Sequence, residues 1–180
     1  MKQQKTVKII LSILIASSIL SGCGILSENK DNINHEKVTR EQSKIIMEAV
    51  LNEDVDAIAE LFCPYVKENH PELESEIQEL FAFIDGEIIS YNEPKTNIGS
   101  GKTESGQGVV EQSMSGITKN IKTDTGKTYF LVFGSHTVFK DHPEYVGITN
   151  ISIRDSELYD ADMEYPNIAE YKISSPEMWE

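Results

Sequence analysis

Apolar positions along this chain recur first with the period of a helix and then, beyond Gly86, with that of a strand. Ile45, Ile46, Ala49 and Val50 form one helical stripe, and Thr39 with Gln42 three residues on has the spacing of a capping box at its start. Asn52 or Asp54 then caps a second, short helix carrying Ile58, Leu61 and Phe62, which Pro64 ends. A third helix over 71–85 puts Leu73, Ile77, Leu80, Phe81 and Ile84 on one face, with Gly86 closing it. That stripe reads as core packing. Strands follow at 87–92, 108–122, 127–139 and 145–154, and Asp124-Thr125-Gly126 turns the second into the third. In the third strand Tyr129, Leu131 and Phe133 alternate with Phe130, Val132 and Val138. Both faces are apolar, which predicts a central strand covered on both sides. Gly134 within it marks a bend or bulge of the kind a curved sheet needs. The stretch 97–108, rich in glycine and serine, reads as a mobile loop. The pattern is that of an α+β domain, with N-terminal helices packed on a curved antiparallel sheet.

Upstream of these elements the pattern is different. Lys2, Lys5 and Lys8 precede an apolar run over 9–20, followed by Ser21, Gly22 and Cys23. A run of twelve residues falls short of the roughly 20 that cross a hydrocarbon core but suits a secretory signal. Small residues at 21 and 22 admit the backbone to a peptidase, and the Cys23 thiol is the nucleophile that accepts lipid. Leu20-Ser21-Gly22-Cys23 resembles the lipobox of bacterial lipoproteins. The resemblance implies cleavage between Gly22 and Cys23 and a diacylglyceryl anchor on Cys23, on the outer face of the cytoplasmic membrane. Two acyl chains suffice for stable anchoring.

Charge narrows the partners. Removing residues 1–22 takes three of the 16 basic residues and none of the 30 acidic ones, leaving 13 against 30 and a net charge of −17. With no block of Lys or Arg left to neutralise phosphates, nucleic acid is not expected as a partner. An anionic membrane or wall surface would repel such a domain, so lipid must hold it there. If Cys23 is acylated, Cys63 has no intramolecular partner, and its apolar neighbours make it a buried, inert thiol. The chain divides into a signal peptide (1–22), a lipidated cysteine with a polar tether (23–37), the domain (38–155) and an acidic tail (156–180) that packs its aromatics back on the domain.

Three helices, the last running into a strand, and then a long curved antiparallel sheet resemble the nuclear transport factor 2-like (SnoaL-like) superfamily. Its bent sheet wraps the long helix into a cone with a pocket. The run Asp54-Val55-Asp56-Ala57-Ile58-Ala59-Glu60-Leu61-Phe62 is similar to a helix near the start of many members. Leu61-Phe62-Cys63-Pro64-Tyr65, with the stretch from Glu79 to Tyr91, resembles an uncharacterised family of Gram-positive lipoproteins. The likeness implies localisation and fold but no chemistry, because the superfamily hosts enzymes and binding modules alike.

The chemical motifs are sparse. Gly101-Lys102-Thr103 lacks the glycine of a phosphate-binding loop five residues earlier, where Thr96 stands. Asp160, Asp162 and Glu164 begin like a calcium loop, but Tyr165 and Tyr171 occupy its glycine and glutamate positions. None of His35, His70, His136 and His142 has helical zinc spacing, and no serine-hydrolase elbow occurs, so neither metal nor cofactor is expected. His35 belongs to the tether and His142 to a turn. His136, on the central strand, is the candidate general base if it faces the concave side, and Glu111 on the preceding strand is its candidate acid partner. The expected function is a binding or interaction module for a small molecule, a peptide or an envelope protein, its pocket lined by residues such as Phe81, Phe130 or Phe133. The competing readings are a small pocket enzyme (isomerase, dehydratase or hydrolase) using His136, and a structural homodimer paired through the open sheet face.

Overall fold

The computed structural model describes residues 34–106, 108–156 and 170–174, all within one unit that begins at Asn34. The signal, lipobox and Cys23, and most of the acidic tail, lie outside the described residues. No described helix is long and apolar enough to cross a membrane.

Helix α1 spans His35–Asn52. Its cap is Asn34, whose side chain accepts from the Lys37 amide at 3.0 Å. Thr39, expected as the cap, lies inside the helix and donates its hydroxyl back to the His35 carbonyl at 3.0 Å. Asparagine caps as well as threonine, and capping at 34 gains a further turn, so 35–37 are helical rather than tether. Helix α2 (Val55–Ala59) is capped by Asp54, which accepts from the Ala57 amide. Leu61 and Phe62 lie beyond its end. There the chain straightens to bridge Ile148, with Ile148 N–H donating to the Leu61 carbonyl and Cys63 N–H to the Ile148 carbonyl, each at 2.9 Å. Pro64 ends nothing. It opens a further helix, α3 (Pro64–Asn69), at the first position, where a missing N–H costs no hydrogen bond. Helix α4 (Leu73–Ala82) buries Leu73, Ile77 and Leu80.

The six strands are β1 (Ile88–Ser90), β2 (Lys95–Ser105), β3 (Gly108–Thr123), β4 (Thr128–Phe139), β5 (Gly147–Asp155) and β6 (Glu170–Ser174). They form one antiparallel, curved, unclosed sheet in the order β1-β3-β4-β5-β6, with β2 sharing the outer edge of β3 with β1. The stretch expected to be a loop at 97–108 is therefore mostly strand. Strand β6 falls where an acidic tail was expected. Curvature enters at register shifts near Ser113, Thr118 and Gly134. Asn120 sits in the second of these with φ of 53°, a conformation asparagine tolerates better than most residues.

Strand β4 is central, between β3 and β5. Its apolar side chains join the core from one face only: Tyr129, Leu131 and Phe133 are buried there, whereas Phe130, Val132 and Val138 stay half-exposed. The expected apolar cover on both faces is not found among the described residues: helices α1–α4 come before the sheet in the chain and the core lies on one side. There Ile46, Met47 and Val50 of α1 meet Ile121, Leu131, Phe133, Ile151 and Ile153. At its N-terminal end α1 meets β4 through polar groups instead. His35 Nδ1 pairs with Thr137 Oγ1 at 2.8 Å, and Ser135 Oγ donates to Gln42 Oε1 at 3.1 Å. Cys63 is buried as expected, and burial pushes its thiol pKa up.

Helix and sheet approach closely at Gly116, where a Cβ would overlap the Phe133 ring and come within 2.9 Å of Ser43 Oγ. Replacing Gly116 by Ala is expected to destabilise the domain by about 1–3 kcal/mol through overpacking. Gly106→Ala, where a Cβ meets nothing within 4 Å, serves as the control. Urea denaturation of both variants checks this; equal midpoints would show that helix and sheet separate without cost.

Candidate functional site

Two places bring the expected site residues together with partners. The first lies on the face of β3 and β4 turned away from α1. Register pairs Ser113 with His136 and Glu111 with Phe139, and directly opposed residues share a face. Ser135 and Thr137 reach α1, so His136 lies opposite the concave face on which a general base was expected. A shift between Gln112 and Ser113 nevertheless brings its ring to Glu111, with Nδ1 at 3.7 Å from Oε1.

That distance is an ion-pair contact but too long for a hydrogen bond. Nδ1 of His136 has no hydrogen-bond partner among the described residues, although the residue is only 8% exposed. Burial holds the His136 pKa below its ordinary 6.5, with Glu111 opposing the shift. Around it lies an aromatic cluster: Phe139 is 5.2 Å from His136 and from His142, His142 stacks on Tyr145 at 5.3 Å, and Tyr145 meets Tyr65 edge-on at 4.9 Å. Glu144 bonds His142 Nδ1 at 3.2 Å, and a backbone hydrogen bond, followed by this contact, lowers the Glu144 pKa. No group of three His, Cys, Asp or Glu able to hold a metal occurs among the described residues. Asp160, Asp162 and Glu164 lie outside them.

The second place is a cleft of about 360 Å³ where α1 and α4 both end against β1. Val50, Leu51, Asn52 and Glu53 line it from α1, Phe81, Ile84, Gly86 and Glu87 from α4 and its exit, and Ile88 from β1. The tip of the β3–β4 hairpin fixes this exit. Asp124 Oδ1 accepts from the Glu87 amide at 2.9 Å, Thr125 Oγ1 donates to the Asp85 carbonyl at 2.8 Å, and Tyr129 Oη accepts from the Asp85 amide at 3.0 Å. Gly86, with φ of 93°, leaves no room for a Cβ beside Asp124 and Thr125; it makes this turn rather than capping α4.

Of the three phenylalanines expected to line a pocket, only Phe81 does so here. Phe133 is 1% exposed in the core, and Phe130 lies on the other sheet face beneath the Arg154 guanidinium, 5.8 Å from its ring centroid. Glu53 and Glu87 were not singled out from the sequence. A glutamate just past a helix end is the one signal that marks Glu53, because glycine or asparagine usually stands there.

The pKa of both His35 and His136 is lowered in the fold, chiefly by burial. The folded state then binds fewer protons than the unfolded chain below the ordinary histidine pKa. Stability is full above about pH 6.5 and falls as pH drops below it. His136→Gln is expected to flatten that fall, measured as urea midpoints from pH 7.5 to 5. Glu111→Gln removes the charge that favours the imidazolium, so the NMR titration midpoint of His136 moves further down. An unchanged midpoint would separate the two groups.

No curated protein matches the chain. One family model does, over residues 44–161, which takes in Glu53, Phe81, Glu111 and His136 but not Cys23. The match covers more than half of the 180 residues, and the chain belongs to this family, the domain of unknown function DUF5104.

Proposed function

We propose that this chain is a lipoprotein held on the outer face of the cytoplasmic membrane by a diacylglyceryl group on Cys23. Its domain, of the nuclear transport factor 2-like cone type, acts as a binding module for a small molecule, a peptide or an envelope protein. The lipobox and the basic, apolar leader support the anchor. The binding reading is carried by the cleft of about 360 Å³ at the ends of α1 and α4, within the roughly 300–1,000 Å³ usual for small-molecule sites. Val50, Leu51, Phe81, Ile84 and Ile88 contribute apolar groups, while most of the accessible lining is polar and includes the two glutamates Glu53 and Glu87.

A small pocket enzyme is the second reading, and the observation favouring it is His136 beside Glu111. Neither residue lines the cleft. The binding reading therefore takes precedence.

Two measurements test the proposal. Radiolabelled palmitate is expected to enter the wild-type protein in a Gram-positive host and not the Cys23→Ala variant; equal labelling would overturn the anchor. Native mass spectrometry of the mature lipoprotein is expected to show a mass excess that denaturation removes. Turnover of a small-molecule library that is lost in His136→Gln would favour the enzyme instead.

A further inference from the structure

We propose that the cleft at the ends of α1 and α4 selects a small organic cation, an ammonium group on a short apolar stem. The inference rests on the binding reading above and names the ligand class of the same site. Val50, Phe81, Ile84 and Ile88 supply apolar surface for the stem. Glu53 and Glu87 supply carboxylates, and no lining residue carries positive charge.

The backbone adds to this field. A helix C-terminus carries about half a negative elementary charge, which a basic residue in the last turn commonly offsets. Neither α1 nor α4 has one, and both end at the cleft. Two helix ends and two carboxylates thus bear on one cavity with no cation among its lining residues, and an ammonium group is complementary to all four.

Glu53 also sits where local preference would not put it. Its φ of 52° is left-handed, a conformation that favours glycine, and its charge opposes the helix dipole. The left-handed turn closes the helix, with the Glu53 and Asp54 amides both donating to the Ala49 carbonyl, so only the choice of an acidic side chain at this position goes against local preference.

The test uses the mature lipoprotein in detergent, with ¹³C-methyl labels on isoleucine and valine. The probes are n-butylammonium, n-butanol and butyrate, which are of similar length and differ in charge. Butylammonium is expected to shift the Val50, Ile84 and Ile88 methyls saturably, and to leave those of Ile151 and Ile153 in the core unmoved. Glu53→Gln with Glu87→Gln should weaken it about fivefold, the scale of two partly exposed charge contacts, and leave butanol unchanged. Added salt should weaken butylammonium alone.

Glu53→Gly separates binding from folding. It removes the charge and supplies the residue that the backbone favours, so it should raise the melting temperature while weakening butylammonium. Butanol or butyrate binding as tightly as butylammonium would overturn the charge selection and leave the binding reading standing. No probe moving the cleft methyls would overturn both.

Discussion

The fold depends on how closely α1 can lie against the sheet. That distance is set at Gly116, where the absence of a side chain lets Phe133 occupy the space and brings Ser43 into contact. Ser43 is buried there, and its hydroxyl donates to the Thr39 carbonyl one turn back, so the approach leaves no orphaned donor. On the N-terminal side of this crossing the helix meets β4 through His35 and Gln42. On the C-terminal side it meets the sheet through Ile46, Met47 and Val50. Apolar contact supplies the driving force, while the hydrogen bonds near the helix start fix its register.

The cleft follows from that placement. With α1 fixed at Gly116, its C-terminal end reaches the exit of α4, and the β3–β4 turn clamps the exit through Asp124 and Thr125. Three segments far apart in sequence therefore define one cavity whose shape is held by hydrogen bonds between side chains and backbone. Val50, Leu51, Asn52 and Phe81 sit on helices and Ile88 on a strand, while Glu53 and Glu87 sit in the turns that leave α1 and α4.

Much of this was legible in the chain, for a physical reason. Burial imposes a period, so the stripe from Leu73 to Leu80, the alternation in β4 and the turn at 124–126 could be read directly. Strand β2 could not. It is polar and rich in glycine, and what makes it a strand is pairing with β3 rather than any burial of its own. Strand β6 was hidden for a different reason: it buries Ile173 in the core, but its place is decided by pairing with β5. Pro64 carries one meaning at the end of a helix and another at the start of one, and only the bridge from Phe62 to Ile148 decides between them. The nearness of Glu111 to His136 needed the register shift beside Ser113, which no local pattern announces. Phe81 was visible as an apolar position, but Glu53 and Glu87 gain meaning only where the helix ends meet.

Strand β2 has a further consequence. It pairs with β3 along one edge, and no described strand pairs with the other. A long free edge is a template on which another chain can add, the first step toward aggregation. In Lys95–Ser105 the guard against this is compositional: two lysines and a glutamate punctuate the strand, two glycines weaken its β preference, and Ile98 is its one large apolar residue. The exposed ion pair of Lys102 with Glu104 adds hydrated charge that a second strand would have to displace. The sheet can thus remain open at this edge without inviting its own copies to extend it.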